Sequence, residues 1–390
     1  MTKQTDFKYW PVNWTDGMLL NKGHLAHQDA VFNERVCDAI RINQSLLNYG
    51  ILPRQGNSEN CIVNISVDGQ TLLKVKVDKC LAVTPNGLRI SIPGEEWELA
   101  NTSVDLKNFA EGKGTDSPSA FYVTLAVNPG KFVPFGTPDP EEEPPRFPYL
   151  HPCYNISLIP ANDIDMAGPG GHILPIAMLT YQNNQFQQSE GYIPPCTSIQ
   201  SHGKLTGFVQ LLQKNLRALE TSSITIVQKV RGKHQENILA LGINSMAEQI
   251  MQSAGFMLQY LSLQANYAPV IDLLVQISAL ARSLRNKLDT WQGIGKEEIL
   301  TYMAEWCNLN QGEFESTISE LVNMEYKHHN MAVSLQAAEK LFNILAPAFT
   351  VLAELDYIGK KIDTDLFVKE EIIETGEYAQ KTKKGGIFRK

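Results

Sequence analysis

The sequence lacks the markers of several large protein classes. Its six cysteines, at positions 37, 61, 80, 153, 196 and 307, include no Cys-x-x-Cys pair. That leaves zinc-ribbon and thioredoxin-type sites without support, and the thiols are expected to be reduced, as in a reducing compartment. There is no run of about 18 uncharged apolar residues, so no membrane-spanning helix is expected. The opening segment, MTKQTDFKYWPVNWTDG, has no apolar h-region, and no secretory leader is expected from it. Asn-x-Ser/Thr triplets such as Asn64-Ile65-Ser66 then read as chance. Basic residues are not in excess. Lys and Arg number 34 against 42 Asp and Glu, a net charge of −8. Binding nucleic acid through phosphates requires a basic face, so that function is not expected. Proline almost disappears after Pro195, with only Pro269 and Pro347 beyond it.

Catalytic motifs are equally scarce. No GxxxxGK[ST] occurs, and Gly112-Lys113-Gly114-Thr115 lacks the spacing that cradles phosphates. Gly168-Pro169-Gly170-Gly171 reads as a turn, because proline removes an amide and strand-like sequence follows. Neither GxSxG nor HExxH is found. His24 and His27 sit three apart with Asp29 nearby, a spacing that could hold a metal on a helix. A third ligand is missing, and a packed or solvated pair is the preferred reading. His328 and His329 are adjacent and would point to different helix faces. Glu141–Glu143 lie in a proline-rich stretch without the burial that separates two carboxyl pKa values. No enzyme activity, metal, cofactor or small-molecule substrate is expected.

What is present is the material of a large core. Of 390 residues, 43% are apolar and 19% charged, with 5 Trp, 13 Tyr and 15 Phe. That length suggests two domains plus an appendage. The first half reads as short strands. CIVNISV (61–67) and TLLKVKV (71–77) alternate around the Asp68-Gly69 turn. LRISI (88–92) follows the Pro85-Asn86-Gly87 turn. AFYVTLAV (120–127) ends at Asn128-Pro129-Gly130, YNISLI (154–159) stops at Pro160, and ILPIAML (173–179) is a further strand. Such spacing suggests an antiparallel sandwich or barrel. The segment 134–148 carries six prolines and three consecutive glutamates and reads as an exposed, stiff excursion. It is either a solvated connection or a docking loop for a basic partner.

Past Pro194-Pro195 the pattern turns helical. Segments 205–231, 234–264, 270–291, 296–308, 313–326 and 329–355 read as helices, the last bent at Pro347. Val209, Leu212, Leu216, Leu219, Ile226 and Val230 repeat at steps of 3 and 4, with Ser223 filling the remaining slot. A seven-residue period favours a supercoil seam between chains; packing inside one chain produces such a stripe too. The last ten residues, KTKKGGIFRK, carry five basic groups and no acidic one. They read as a solvated tail, with a weak patch for an acidic partner or membrane surface as the alternative. The order of elements makes the fold class α+β with segregated parts.

Several segments together resemble a known family. Val12-Asn13-Trp14-Thr15-Asp16-Gly17-Met18-Leu19-Leu20, then His24-Leu25 and Gln28-Asp29, are similar to the opening signature of the type VI secretion system baseplate subunit TssK family. Thr84-Pro85-Asn86-Gly87-Leu88 resembles that family's turn in the middle of its β-domain. Gly191-Tyr192-Ile193-Pro194-Pro195-Cys196-Thr197-Ser198-Ile199 resembles its passage into a helical neck. The resemblance covers roughly residues 10–355, and the order and spacing of the motifs carry it more than any one of them.

The resemblance implies a cytoplasmic homotrimer without enzymatic role, at the inner face of the inner membrane. It would have a β-rich "shoulder" over 1–193, like that of phage receptor-binding proteins, and a helical bundle "neck" over 194–355. The shoulder would dock on the wedge proteins TssF and TssG. Val209, Leu212, Leu216, Leu219 and Ile226 are then the candidate neck seam. Trp14, Met18, Leu19 and Leu20 either anchor a partner or close the shoulder's own core. The family's head domain, about a hundred residues that contact the membrane complex, has only 356–390 to correspond to it, too little for a core of that size. Contact with the membrane-side complex is accordingly expected to be indirect, or weak through the basic tail. A receptor-binding or fibre-adaptor protein of a phage-tail-like particle is the alternative with the same architecture.

Overall fold

Alternating apolar residues build two antiparallel sheets in the first half of the chain. The computed structural model describes residues 8–68, 72–94, 100–105, 119–167, 171–182 and 185–359. The chain opens with an extended arm and a helix, α1 (Lys22–Asn43). The first sheet holds β1 (Gly50–Ile51), β2 (Cys61–Asp68), β3 (Leu72–Val83), β4 (Arg89–Ile92) and β5 (Asn101–Asp105). β3 is its hub, pairing with all four others. The second sheet runs β7-β6-β8-β9, from β6 (Ser119–Phe135), β7 (Tyr149–Pro160), β8 (Ile173–Gln182) and β9 (Gln185–Gln188). A single helical turn, α2 (Ile164–Ala167), precedes β8. Inward residues of both sheets, Val75, Val77 and Ile90 from one and Phe121, Leu125 and Leu174 from the other, belong to one apolar cluster.

One strand limit differs from expectation for a physical reason. β6 does not end at Asn128-Pro129-Gly130. The register shifts there, from Asn128↔Cys153 to Phe132↔Pro152, so the turn-like residues are absorbed as a bulge. The strand continues to Phe135, and Pro134 pairs with Leu150. Proline is tolerated because β8 reaches only as far as Ala126, which leaves this stretch an edge ribbon. The rest of the proline- and glutamate-rich segment forms its exposed tip, where Arg146 pairs with Glu142.

The helical half follows its stripes closely: α3 (Gly203–Gly232), α4 (Ile238–Leu263), α5 (Val270–Asp289), α6 (Lys296–Cys307), α7 (Gln311–Val322) and α8 (Met331–Glu354). Caps set the limits. Asn237 accepts from the Ala240 N–H at 2.8 Å, and Asn310 accepts from the Glu313 N–H at 3.0 Å. Asn308, with φ 53°, ends α6. α8 runs through Pro347. Its C-terminal carbonyls receive the Lys229 ammonium from α3, 2.6 Å from the Ala353 oxygen.

A dense joint ties sheets to helices. The Ile51 N–H donates to the Pro195 carbonyl at 2.7 Å, and the Thr197 N–H donates to the Ile51 carbonyl at 2.9 Å. Arg54 donates to the Gln200 carbonyl, Glu59 and Thr206 at 2.9–3.2 Å. Gly50 has φ +114°, and a Cβ there would sit 2.0 Å from the Pro195 oxygen. Only glycine permits that approach. The described residues up to Gly359 form one compact unit. The basic tail lies outside the described residues, as do Gly69, the Gly112–Thr115 motif and most of the Gly168–Gly171 turn.

Candidate partner-docking surface

The opening segment, read at first as part of a β-rich domain, is an arm folded back along a helix. The Glu34 carboxylate accepts from the Lys8 and Tyr9 N–H groups at 2.8 and 2.9 Å. Gln28 accepts from the Val12 N–H at 3.5 Å. His27 Nε2 donates to the Trp10 carbonyl at 2.7 Å, and its ring meets Tyr9 edge-on. Trp14 meets the His24 ring edge-on, 6.2 Å between centroids. A turn from Thr15 to Met18, with Gly17 at φ +77°, leads into the Asn21 cap, which accepts from the His24 N–H at 3.1 Å. The His24/His27 pair therefore orients the arm. No cluster of three metal-ligating side chains exists among the described residues.

The helix in turn sits on the turn at residues 84–88. Arg41 donates to the Asn86 carbonyl and Gln44 to the Thr84 carbonyl, both at 2.8 Å. Gly87 has φ +77°, and a Cβ there would lie 2.7 Å from the Cys37 oxygen. Two sequence segments singled out separately are thus in direct contact. Beside them a groove of about 480 Å³ opens between α1 and the end of β3, lined by Val36, Ala39, Ile40, Gln44, Val83 and Thr197 among others.

Polar bonds hold this module; apolar burial does little. Val31 is the one buried residue of α1. Of the four opening-segment candidates, Trp14 is 46% exposed, Leu19 85% and Leu20 63%, while Met18 is half-buried. Leu25, Phe32 and Val36 are exposed as well. Scattered apolar residues are normal on a surface, but a contiguous set on one module marks an interaction site. Trp14, Leu19 and Leu20 do not close the core of the single chain.

The heptad residues are placed differently from the seam expectation. Val209, Leu212, Leu216, Leu219 and Ile226 are all buried within one chain, none more than 5% exposed. α3 packs there against α4 and α8. A helix has one apolar stripe to bury, and this chain's own helices cover it first. The seven-residue stripe lies against this chain's own helices. The opposite face of α3 carries a second, weaker repeat: Gly207, Leu211, Lys214, Ala218, Thr221 and Thr225, all exposed.

His328 closes the joint from the helical side. Its Nε2 lies 2.8 Å from the Tyr49 carbonyl and its Nδ1 2.8 Å from the Tyr326 hydroxyl. Burial pushes its pKa down to about 4, against the opposing effect of the Tyr49 hydrogen bond. Its neighbour His329 lies 3.8 Å from Asp165. Burial lowers the pKa of His329 too, with Asp165 opposing.

Of the receptors of the arm, Glu34 was missed by sequence reasoning, while Gln28 was singled out only as part of the opening signature. Asn21 as a cap and the His24/His27 spacing were the available signals of a helix there.

No family model matches the chain, and no curated protein matches it. Several solved structures are similar to it. A crystal structure of TssK is 12% identical, with a TM-score of 0.48, over 86% of this chain and 69% of that one. TssK from the type VI secretion system of EAEC, bound to a nanobody, is 14% identical, with a TM-score of 0.48, over 83% and 68%. A chain of a TssK-TssF-TssG baseplate subcomplex of that secretion system, seen by electron cryo-microscopy, is 13% identical, with a TM-score of 0.48, over 89% and 100%.

Proposed function

We propose that this chain is a structural subunit of a type VI secretion baseplate: a TssK-like adaptor that assembles as a trimer and docks on wedge proteins of the TssF and TssG kind. The observation that carries this reading is the arm–α1 module. The segment with the family-like signature presents Trp14, Leu19 and Leu20 to solvent on a scaffold fixed by Glu34, Gln28 and His27. Rigidly held aromatic and aliphatic side chains are the usual anchors of a protein interface. In this reading residues 1–193 with their two sheets are the shoulder, and 194–355 are the neck. Contact between copies uses the exposed face of α3 around Leu211 and Ala218. In this reading the assembly works on the cytoplasmic face of the inner membrane. The role is mechanical, with no catalytic step.

Co-purification with TssF and TssG from the same cell tests the docking surface. Wild type is expected to bring both down. Trp14→Ala with Leu19→Ala is expected to keep its far-ultraviolet dichroism and melting temperature, since exposed substitutions rarely shift stability by more than about 0.5 kcal/mol. Binding should weaken by roughly 30-fold or more, the effect of losing an anchor worth about 2 kcal/mol. A folded variant that retains full wedge binding overturns the assignment of this surface. A wild-type protein that ignores the wedge but binds a glycan or cell-surface receptor favours a receptor-binding subunit of a phage-tail-like particle instead.

A further inference from the structure

Two thiols stand side by side across β2 and β3. Cys61 and Cys80 are direct partners in the register. One step along, the Leu81 N–H donates to the Asn60 carbonyl at 2.8 Å. Antiparallel pairs alternate between hydrogen-bonded and non-hydrogen-bonded types, so the cysteines occupy the second type, with Cα atoms about 4.5 Å apart and side chains in close approach. Disulfides span Cα separations of about 4.4–6.8 Å. Directly opposed side chains share a face of the sheet, and both cysteines contribute to the same apolar cluster. Cys80 is fully buried, whereas Cys61 is partly exposed. Contact with the Cys61 thiol, then burial, raises the Cys80 pKa well above the ordinary thiol value. A third thiol, Cys196, is buried and donates to the Pro194 carbonyl at 3.1 Å.

We infer that Cys61 and Cys80 form a peroxide-sensitive dithiol, which closes to a cross-strand disulfide when a small hydroperoxide reaches the accessible partner. The Cys61 thiolate attacks the peroxide oxygen. An S–O bond forms, the O–O bond breaks, and hydroxide leaves to take up the thiol proton as water. Cys61 is then a sulfenic acid, oxidised by two electrons. The Cys80 sulfur attacks the Cys61 sulfur, the S–S bond forms, and the S–O bond breaks. The released hydroxide takes the Cys80 proton as a second water. In sum two thiols and one hydrogen peroxide give one disulfide and two waters. Reactivity falls to Cys61 because oxidation follows access, and Cys80 resolves because no reorganisation of the backbone is needed. The product staples β2 to the strand on which β1, β4 and β5 also pair.

The test treats the folded full chain with graded hydrogen peroxide, blocks remaining thiols, and maps peptides by mass spectrometry. The first cross-link expected joins the Cys61 and Cys80 peptides with loss of two hydrogens, and dithiothreitol reverses it. The urea midpoint of the oxidised protein rises. In Cys61→Ser the cross-link and the rise both vanish, and Cys80 stays unmodified. Three results overturn the inference: Cys61 proceeding to sulfinic acid without a cross-link, Cys61 joining Cys196 instead, or both thiols staying reduced at doses that oxidise Cys153.

Discussion

At neutral pH the His328 ring is held in one tautomer, with Nε2–H donating to the Tyr49 carbonyl and Nδ1 accepting from the Tyr326 hydroxyl. Protonating it places a charge among Tyr49, Tyr326, His329 and the Cys196 backbone with little water to solvate it. Its folded pKa of about 4 lies below the value near 6.5 of an unfolded histidine. The unfolded state therefore binds more protons between these values, so stability is complete above about pH 6.5 and declines as pH falls towards 4. The slope is about 1.4 kcal/mol per pH unit and the total is on the order of 3 kcal/mol. Urea unfolding at pH 7 and pH 5 checks this. His328→Asn, which can still donate to the Tyr49 carbonyl, is expected to lose most of the difference. An unchanged pH dependence in that variant would place the acid sensitivity elsewhere, His329 being the first alternative.

The internal seam of α3 makes a prediction about a whole element. Leu216→Ala removes a side chain with no solvent exposure from the contact of α3 with α4 and α8. The cost is about 2–5 kcal/mol, a transfer term plus a cavity. Because every partner belongs to the same chain, the difference in melting temperature between variant and wild type is expected to be the same in dilute and concentrated samples. A difference that grows on dilution would put Leu216 between chains. This element was legible in the sequence because a stripe such as Leu212-Leu216-Leu219 is a local pattern that survives whatever covers it. What covers it is not local, so the choice between an inner and an outer seam stayed open. The same logic explains α1. With Val31 alone buried, it has almost no stripe to read. Its partners are side chain to backbone bonds across 16 to 26 residues, Gln28 to Val12 and Glu34 to Lys8 and Tyr9. The β6–β7 ribbon was hidden for the opposite reason. Pro129, Gly130 and Pro134 are turn residues by type, and only the pairing partner reveals a bulge and an edge.

At the scale of the molecule, the proposal turns on how many copies assemble. Among the exposed apolar residues of the described fold are those of the arm with α1 and Leu211 on the far face of α3. One surface suits a foreign partner and the other a symmetric contact, because a cyclic assembly reuses one face on every copy. With a chain mass of 43.5 kDa, the trimer is expected near 130 kDa by light scattering after size exclusion. Leu211, 38% exposed and the one large apolar residue of the second repeat, is the discriminating position. Leu211→Glu adds a charge at each copy of the contact, where like charges close together without solvent cost several kcal/mol. Its expected mass is that of the monomer, with helical content and melting behaviour of a folded chain, since Leu211 lies on the exposed face of α3. Trp14→Ala with Leu19→Ala should leave the trimer intact. A wild-type monomer at every loading would remove the trimer from the proposal and leave the arm–α1 module to be judged by wedge binding alone. A trimer that survives Leu211→Glu would keep the assembly but move the contact off α3, with α1 the next face to probe.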